Sequence, residues 1–251
     1  MKELFSFLTR VPTKSKDLEI AAKHAYLFPL IGLIIGLMAY AVGYASFTFL
    51  PNEIGALITT LSIYSVTGLV HLDGLSDFSD GIMASGDRER KFSAMKDAKI
   101  GVAGIFSIVF ILLITVYSIS VLGNIKNCRS LTNELLMYQL GCALIISEIS
   151  AKLSMNTCIA LGKRMPDGIG SIFIQRSTWS KYIIAFAIST LIGLIVARSY
   201  FIVVYVGIVV SFIVVKIAHK NFGAVNGDAI GASNEIARAA TLLVWVVIIW
   251  I

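Results

Sequence analysis

Residues 71–81 read HLDGLSDFSDG and follow directly on the apolar run IGALITTLSIYSVTGLV. Asp73, Asp77 and Asp80 recur at i, i+4 and i+7, the interval that stacks side chains along one face of a helix. If the helix of the apolar run continues past residue 72, three carboxylates share a stripe. Like charges at that spacing repel, and an Asp costs about 2.5–3.5 kcal/mol at a bilayer centre. The stripe therefore demands a cation, water, or both. A hard divalent ion such as Mg²⁺, held by a few carboxylates while waters and substrate phosphates complete its shell, meets that demand. Gly74 and Gly81 remove side chains where a bulky ligand would approach the backbone. The plain alternative is a solvated acidic loop.

Immediately downstream comes SGDRERKFSAMKDAKIG. Asp87 is placed to cap a helix with Arg88, Glu89 and Arg90 in its first turn, and Lys91, Lys96, Asp97 and Lys99 follow. Basic residues beside a cytosolic helix end are what membrane orientation requires in any case. Adjacency gives them a second reading, because carboxylates for a metal next to cations for phosphate oxygens are the pairing that phosphoryl transfer uses. A further polar island, NFGAVNGDAIGASNEIAR, carries Gly223, Gly227 and Gly231 at four-residue intervals, which close helix packing explains. Packing does not explain Asp228 and Glu235, seven apart on one face, and Asp228 is expected to face the same cavity as the first cluster.

Three features carry less. Glu148 and Lys152 are i, i+4 and read as a neutralising pair near a helix end. The loop GKRMPDGIGS fits a phosphate-contacting turn and a simple connection equally. His71 fits a ligand or a proton relay, although a lone histidine at a helix end is usually just hydrogen-bonded.

These residues must be held by membrane helices. The 251-residue chain is 57% hydrophobic and 14% charged, with a mean hydropathy of +0.85, far from the soluble norm of about 45–50% apolar and about 25% charged. Apolar runs near 27–47, 54–72, 101–122, 135–158, 182–197, 199–217 and 237–251 approach the length of about 20 residues that a crossing needs. The expectation is an all-α, polytopic helical bundle of about seven spans forming one domain over residues 1–251, since the period-two alternation of a membrane barrel is lacking.

With the N-terminus inside, one side receives Lys2, Arg10, Lys14, Lys16 and Lys23, then the cations of 73–100. Lys163, Arg164, Arg176 and Lys181 join them, as do Lys216, Lys220 and Arg238, the last taken as the end of a 216–238 loop. The other side receives Lys126, Arg129 and Arg198, with Lys152 inside a helix. This skew predicts a cell-membrane protein with its acidic segment, 73–100, in the cytoplasm. It also accounts for the net charge of +6 without a nucleic-acid partner. Residues 1–26, broken by Arg10 and Pro12, read as a cytosolic amphipathic arm rather than a removable signal peptide. Cys128, Cys142 and Cys158 have no metal spacing and read as packed, unpaired thiols.

Taken together, HLDGLSDFSDG, GDRERKFSAMKDAKIGVAG and FGAVNGDAIGASNE, with the early FLTRVP and YLFPLIGLIIG, resemble the cobalamin synthase family, the adenosylcobinamide-GDP ribazoletransferases. The likeness touches both ends and the middle of the chain. It implies a Mg²⁺-dependent membrane enzyme of late cobalamin biosynthesis. Its donor is adenosylcobinamide-GDP, its acceptor α-ribazole or α-ribazole 5′-phosphate, and its products adenosylcobalamin or its 5′-phosphate and GMP. The motif falls on Asp73, Gly74, Asp77, Asp80, Gly81, Asp87, Arg88, Arg90, Lys96, Asp97 and Asp228. On that basis Asp73, Asp77 and Asp80 hold Mg²⁺, and one of them or Asp97 is the base. Arg88, Arg90 and Lys96 meet the diphosphate, and Asp228 contacts substrate. Lys99 stands where the family often has Arg, and Lys lacks the bidentate fork. Asn226 replaces the usual Thr.

Two other classes compete. DFSDGIMA matches the opening of the CDP-alcohol phosphotransferase motif, but Ser85 stands where its Arg belongs and the later acidic pair is missing. A cation transporter would place its polar groups near the bilayer midplane between internal repeats, whereas these acids gather at one edge and no repeat is seen.

Overall fold

The computed structural model describes residues 2–10, 17–124 and 133–250. Pro12, Lys14, Lys16, Lys126, Cys128 and Arg129, used above for the arm, the orientation and the thiols, lie outside them. Apolar chain in a bilayer must satisfy its backbone groups internally, and helices do this within each segment. Accordingly the described residues form helices joined by short turns, with no strand and a single isolated bridge between Arg164 and Val225. The helices are α1 (Lys2–Leu8), α2 (Leu18–Lys23), α3 (Phe28–Phe49), α4 (Asn52–Thr67), α5 (Val70–Met83), α6 (Arg88–Met95) and α7 (Val102–Gly123). They continue with α8 (Asn133–Leu161), α9 (Ile169–Arg176), α10 (Trp179–Ala197), α11 (Val206–Phe222) and α12 (Gly227–Trp250).

The all-α membrane bundle is as expected. Among the described residues, length and composition give five crossings, or six when α4 and α5 are combined, with residues 179–222 counted once. Those two helices are bent by 93° at Gly68, whose φ of 73° suits a residue without a Cβ. The acids of α5 thus sit on a separate helix that leaves the axis of α4.

Residues 179–222 form one continuous helical run of 44 residues, yet it is not a rod. The Phe186 and Tyr205 rings stack with centroids 5.1 Å apart, and Thr190 Oγ1 lies 2.9 Å from Tyr205 Oη. In a straight helix those pairs would be separated by about 28 and 22 Å. The chain reverses at Arg198, whose φ is 48°, and the 3₁₀ segment Arg198–Tyr205 runs back along α10.

Helix α8 is the hub: 89% of its most apolar stretch is buried, against 28% for α7. Phe106, Phe110, Leu113 and Tyr117 of α7 are exposed at helical spacing, an apolar stripe suited to lipid. Against α8, helix α3 approaches so closely that a Cβ on Gly32 or Gly36 would lie 2.7 Å from Glu148 O or 2.6 Å from Ile145 Cα. The N-terminal arm is docked rather than free, since Leu4 and Leu8 are buried in the core.

Candidate active site

Helix α7 starts at Gly101 with no side-chain cap of its own, leaving first-turn amides to be satisfied from elsewhere. Asp80 supplies the acceptors. Its Oδ2 accepts from Gly101 N at 2.7 Å and its Oδ1 from Gly104 N at 2.8 Å. A Cβ at either glycine would collide with that carboxylate. Asp80 is therefore anchored to α7, while Asp73 is exposed and Asp77 half-buried on α5.

The opposite wall is the start of α12. Gly74 lies against the backbone of Asp228, where a Cβ would stand 3.1 Å from Asp228 O. Asp228 Oδ2 accepts from Lys96 Nζ at 2.5 Å and from Asn226 Nδ2 at 2.7 Å. Asn226 Oδ1 in turn accepts from Ala229 N, so one buried amide caps α12 and orients the carboxylate. Burial, then the charges of Asp228 and Asp73, push the Asp77 carboxyl up to about 6. Its environment thus favours an added cation.

Asp73, Lys96 and Asp228 line one cavity of about 290 Å³. Asp167, Gly168 and Gly170, from the loop GKRMPDGIGS and the first turn of α9, line it too, as do His71, Phe7, Phe28 and Phe173. The aromatic wall escaped the sequence reading because its rings come from α1, α3 and α9, and only their packing unites them. Asp167 did leave a signal, an acid in a Pro-Gly turn on the expected cytosolic side.

The remaining candidates stand apart from the cavity. Asp87 caps α6 through Arg90 N at 3.0 Å, as its position promised. Arg88 Nε donates to Lys220 O at 3.3 Å, Arg90 is exposed, and Asp97 Oδ1 accepts from Lys99 N at 3.0 Å. Among the described residues no three His, Cys, Asp or Glu side chains form a ready metal-holding group. Mg²⁺ needs no such cage, since it is usually held by one or two carboxylates plus substrate phosphates. Asp73, Asp77 and Asp228 offer hard oxygen donors of that kind.

Arg238 corrects the orientation count. It lies well inside α12, fully buried, not at a loop end. Its Nε donates to Glu148 Oε1 and its Nη1 to Glu235 Oε2 at 2.6 Å. Tyr64 Oη donates to Glu235 Oε2 at 2.8 Å, and Lys152 Nζ to Asn234 Oδ1 at 2.7 Å. Glu148 and Lys152 are fully buried in the middle of α8, not near its end. Two acids and two bases thus neutralise one another inside the bundle, which low dielectric requires of buried charge.

The model of the cobalamin-5-phosphate synthase family matches residues 1–246. An adenosylcobinamide-GDP ribazoletransferase of Methanococcoides burtonii is 36% identical, aligned over 99% of this chain and 92% of its own. Those of Pyrococcus abyssi and Thermococcus onnurineus are 35% and 36% identical, each covering 97% of this chain and 96% of their own. No solved structure matches. With the match running almost from end to end and taking in α5, α6 and α12 alike, the chain belongs to the cobalamin-5-phosphate synthase family.

Proposed function

We propose that the protein is an adenosylcobinamide-GDP ribazoletransferase, forming adenosylcobalamin or its 5′-phosphate in cobalamin biosynthesis. The observation that carries this reading is that Asp73 from α5, Lys96 from the end of α6 and Asp228 from α12 line a single cavity. Names of relatives across the whole chain support it.

In the proposed reaction a ribose hydroxyl of α-ribazole, or of its 5′-phosphate, attacks the phosphorus on the cobinamide side of the diphosphate. The new O–P bond forms as the bond to GMP breaks, and the hydroxyl proton passes to a cavity carboxylate, Asp73 or Asp228. Asp73, Asp77 and Asp228 would hold Mg²⁺, which when bound neutralises charge on the diphosphate oxygens. Lys96, already beside Asp228, turns its ammonium to a phosphate oxygen, while Arg88 and Arg90 meet the far end of the nucleotide. Asp80 keeps α5 and α7 in register and so fixes where the other acids stand. The lysine and arginine distribution supports a cell-membrane location with this face in the cytoplasm.

GMP release from adenosylcobinamide-GDP, with α-ribazole supplied, tests the reading. Turnover that requires Mg²⁺ is expected from the wild type, with none from a CDP-diacylglycerol control. A folded, acceptor-supplied protein that releases no GMP would overturn it. For the sidedness, a single cysteine at Ser85 should react with an impermeant thiol reagent in inverted vesicles and resist it in intact cells.

A further inference from the structure

Asp80 fixes the far end of α5 through the amides of α7. The near end has no such hold of its own. Helix α5 starts at Leu69 without a side-chain cap, and Leu69 and Val70 are 61% and 76% exposed, so neither packs the 93° bend into place. Thr67 Oγ1 lies 3.0 Å from Ile63 O and 3.2 Å from Gly68 O, contacts within the turn itself. Yet the first turns of α5 must be set closely. A Cβ on Gly231 of α12 would stand 3.4 Å from His71 Cα, and one on Gly74 would stand 3.1 Å from Asp228 O. With backbone lying on backbone, a small swing of α5 about Gly68 moves Asp73 relative to Asp228.

The N-terminal arm supplies a hold at this turn. Ending a helix leaves its last carbonyls without amides from a following turn, and Val66 O is such a carbonyl near the end of α4. Arg10 N donates to it at 2.8 Å. The stem of Arg10 then covers the buried Gly68, where a Cβ would stand 2.9 Å from Arg10 Cγ and 3.1 Å from Arg10 Cδ. A cation also suits the C-terminal end of a helix. Arg10 is itself tethered to the docked α1, because Thr9 N donates to Phe5 O at 2.9 Å and Leu4 and Leu8 are buried.

We infer that residues 4–10 of the arm are the second anchor of α5, and that Arg10 is a positioning residue which, strapped across the Gly68 turn, sets the angle at which Asp73 and Asp77 face Asp228. The consequence for turnover rests on the ribazoletransferase reading, whereas the fixed angle does not. Asp80 and Arg10 thus hold α5 from its two ends, with Asp73 and Asp77 between them. Reacting groups held this way tolerate little displacement, since a shift of about 1 Å can cost about a hundredfold in rate.

Two variants probe it: Arg10→Pro removes the amide donor, and Arg10→Gly keeps that donor but removes the stem and serves alone if the proline variant does not fold. Spin labels at Leu61→Cys on α4 and Met83→Cys on α5, both exposed positions, report the angle between the helices once the native cysteines are replaced by alanine. In the labelled protein with its native arm, pulsed electron spin resonance in a bilayer should give one narrow distance. Either Arg10 variant should broaden it and lower GMP release per folded molecule about tenfold or more. Narrow, unshifted distances in the folded variants would overturn the anchor, even if melting falls, because the arm would then only add stability. Broadened distances with wild-type turnover would overturn its role in placing the acids. A wild type that releases no GMP sinks the reading of the reaction, and the distances still decide the anchor.

Discussion

Three aspartates at one helical spacing do three different things because their surroundings differ. Asp73 is exposed at the cavity, and Asp77 is crowded by Asp228 and Asp73. Asp80 has both oxygens engaged by α7 amides. Asp77→Asn should therefore lower Mg²⁺-dependent GMP release about a hundredfold or more while thermal melting in detergent stays level or rises, since like-charge crowding is relieved. Asp80→Ala should show the opposite emphasis in the melt, losing about 1–3 kcal/mol of stability as the α7 amides go unpaired. Equal melting of the two variants would contradict this division of labour. Spacing singled out the three acids as candidates; it could not distinguish them, since the i, i+4, i+7 pattern is blind to what lies across the groove.

Among the elements, the decisive contacts are close helix approaches through glycine. Gly74 lets α5 meet α12 at Asp228, and Gly32 and Gly36 let α3 lie on α8. Small residues of this kind permit backbone approach inside a membrane. Gly36→Leu, far from the cavity, should cost at least about 1–3 kcal/mol through overpacking against Ile145, seen as a lower melting temperature and a smaller folded fraction on size exclusion. Unchanged melting would mean that α3 and α8 can part without loss. Helix α6 was legible from Asp87 and the charges after it. The turn at Gly68 was not, because the apolar run continues through it and only the 93° bend shows that α5 is a separate helix.

For the molecule as a whole, the buried quartet Glu148, Lys152, Glu235 and Arg238 locks α8 to α12 from within. Removing one partner strands a buried charge. Arg238→Met should thus destabilise the protein by about 3–5 kcal/mol, measured by melting in detergent. A variant as stable as the wild type would show that the two glutamates find other compensation. Arg238 also shows where a charge-counting argument fails, for a cation in the middle of α12 was assigned to the loop before it.

What the sequence determined by itself was the class of protein and the segments that carry the candidate site. Composition forces a helical membrane bundle, because only internally bonded backbone survives in hydrocarbon, and the acids and bases of 73–99 and 228 stand out since charge is costly there. The tertiary structure decided which of them meet. Asp228 joins Asp73 and Lys96 at one cavity, although α12 begins more than a hundred residues after α6 in the chain. It also turned Asp80 toward α7, sank Arg238 into the core, and gathered Phe7, Phe28 and Phe173 into one wall. Local periodicity encodes the face a residue occupies on its own helix, while the neighbour across that face is set by packing between helices far apart in the chain.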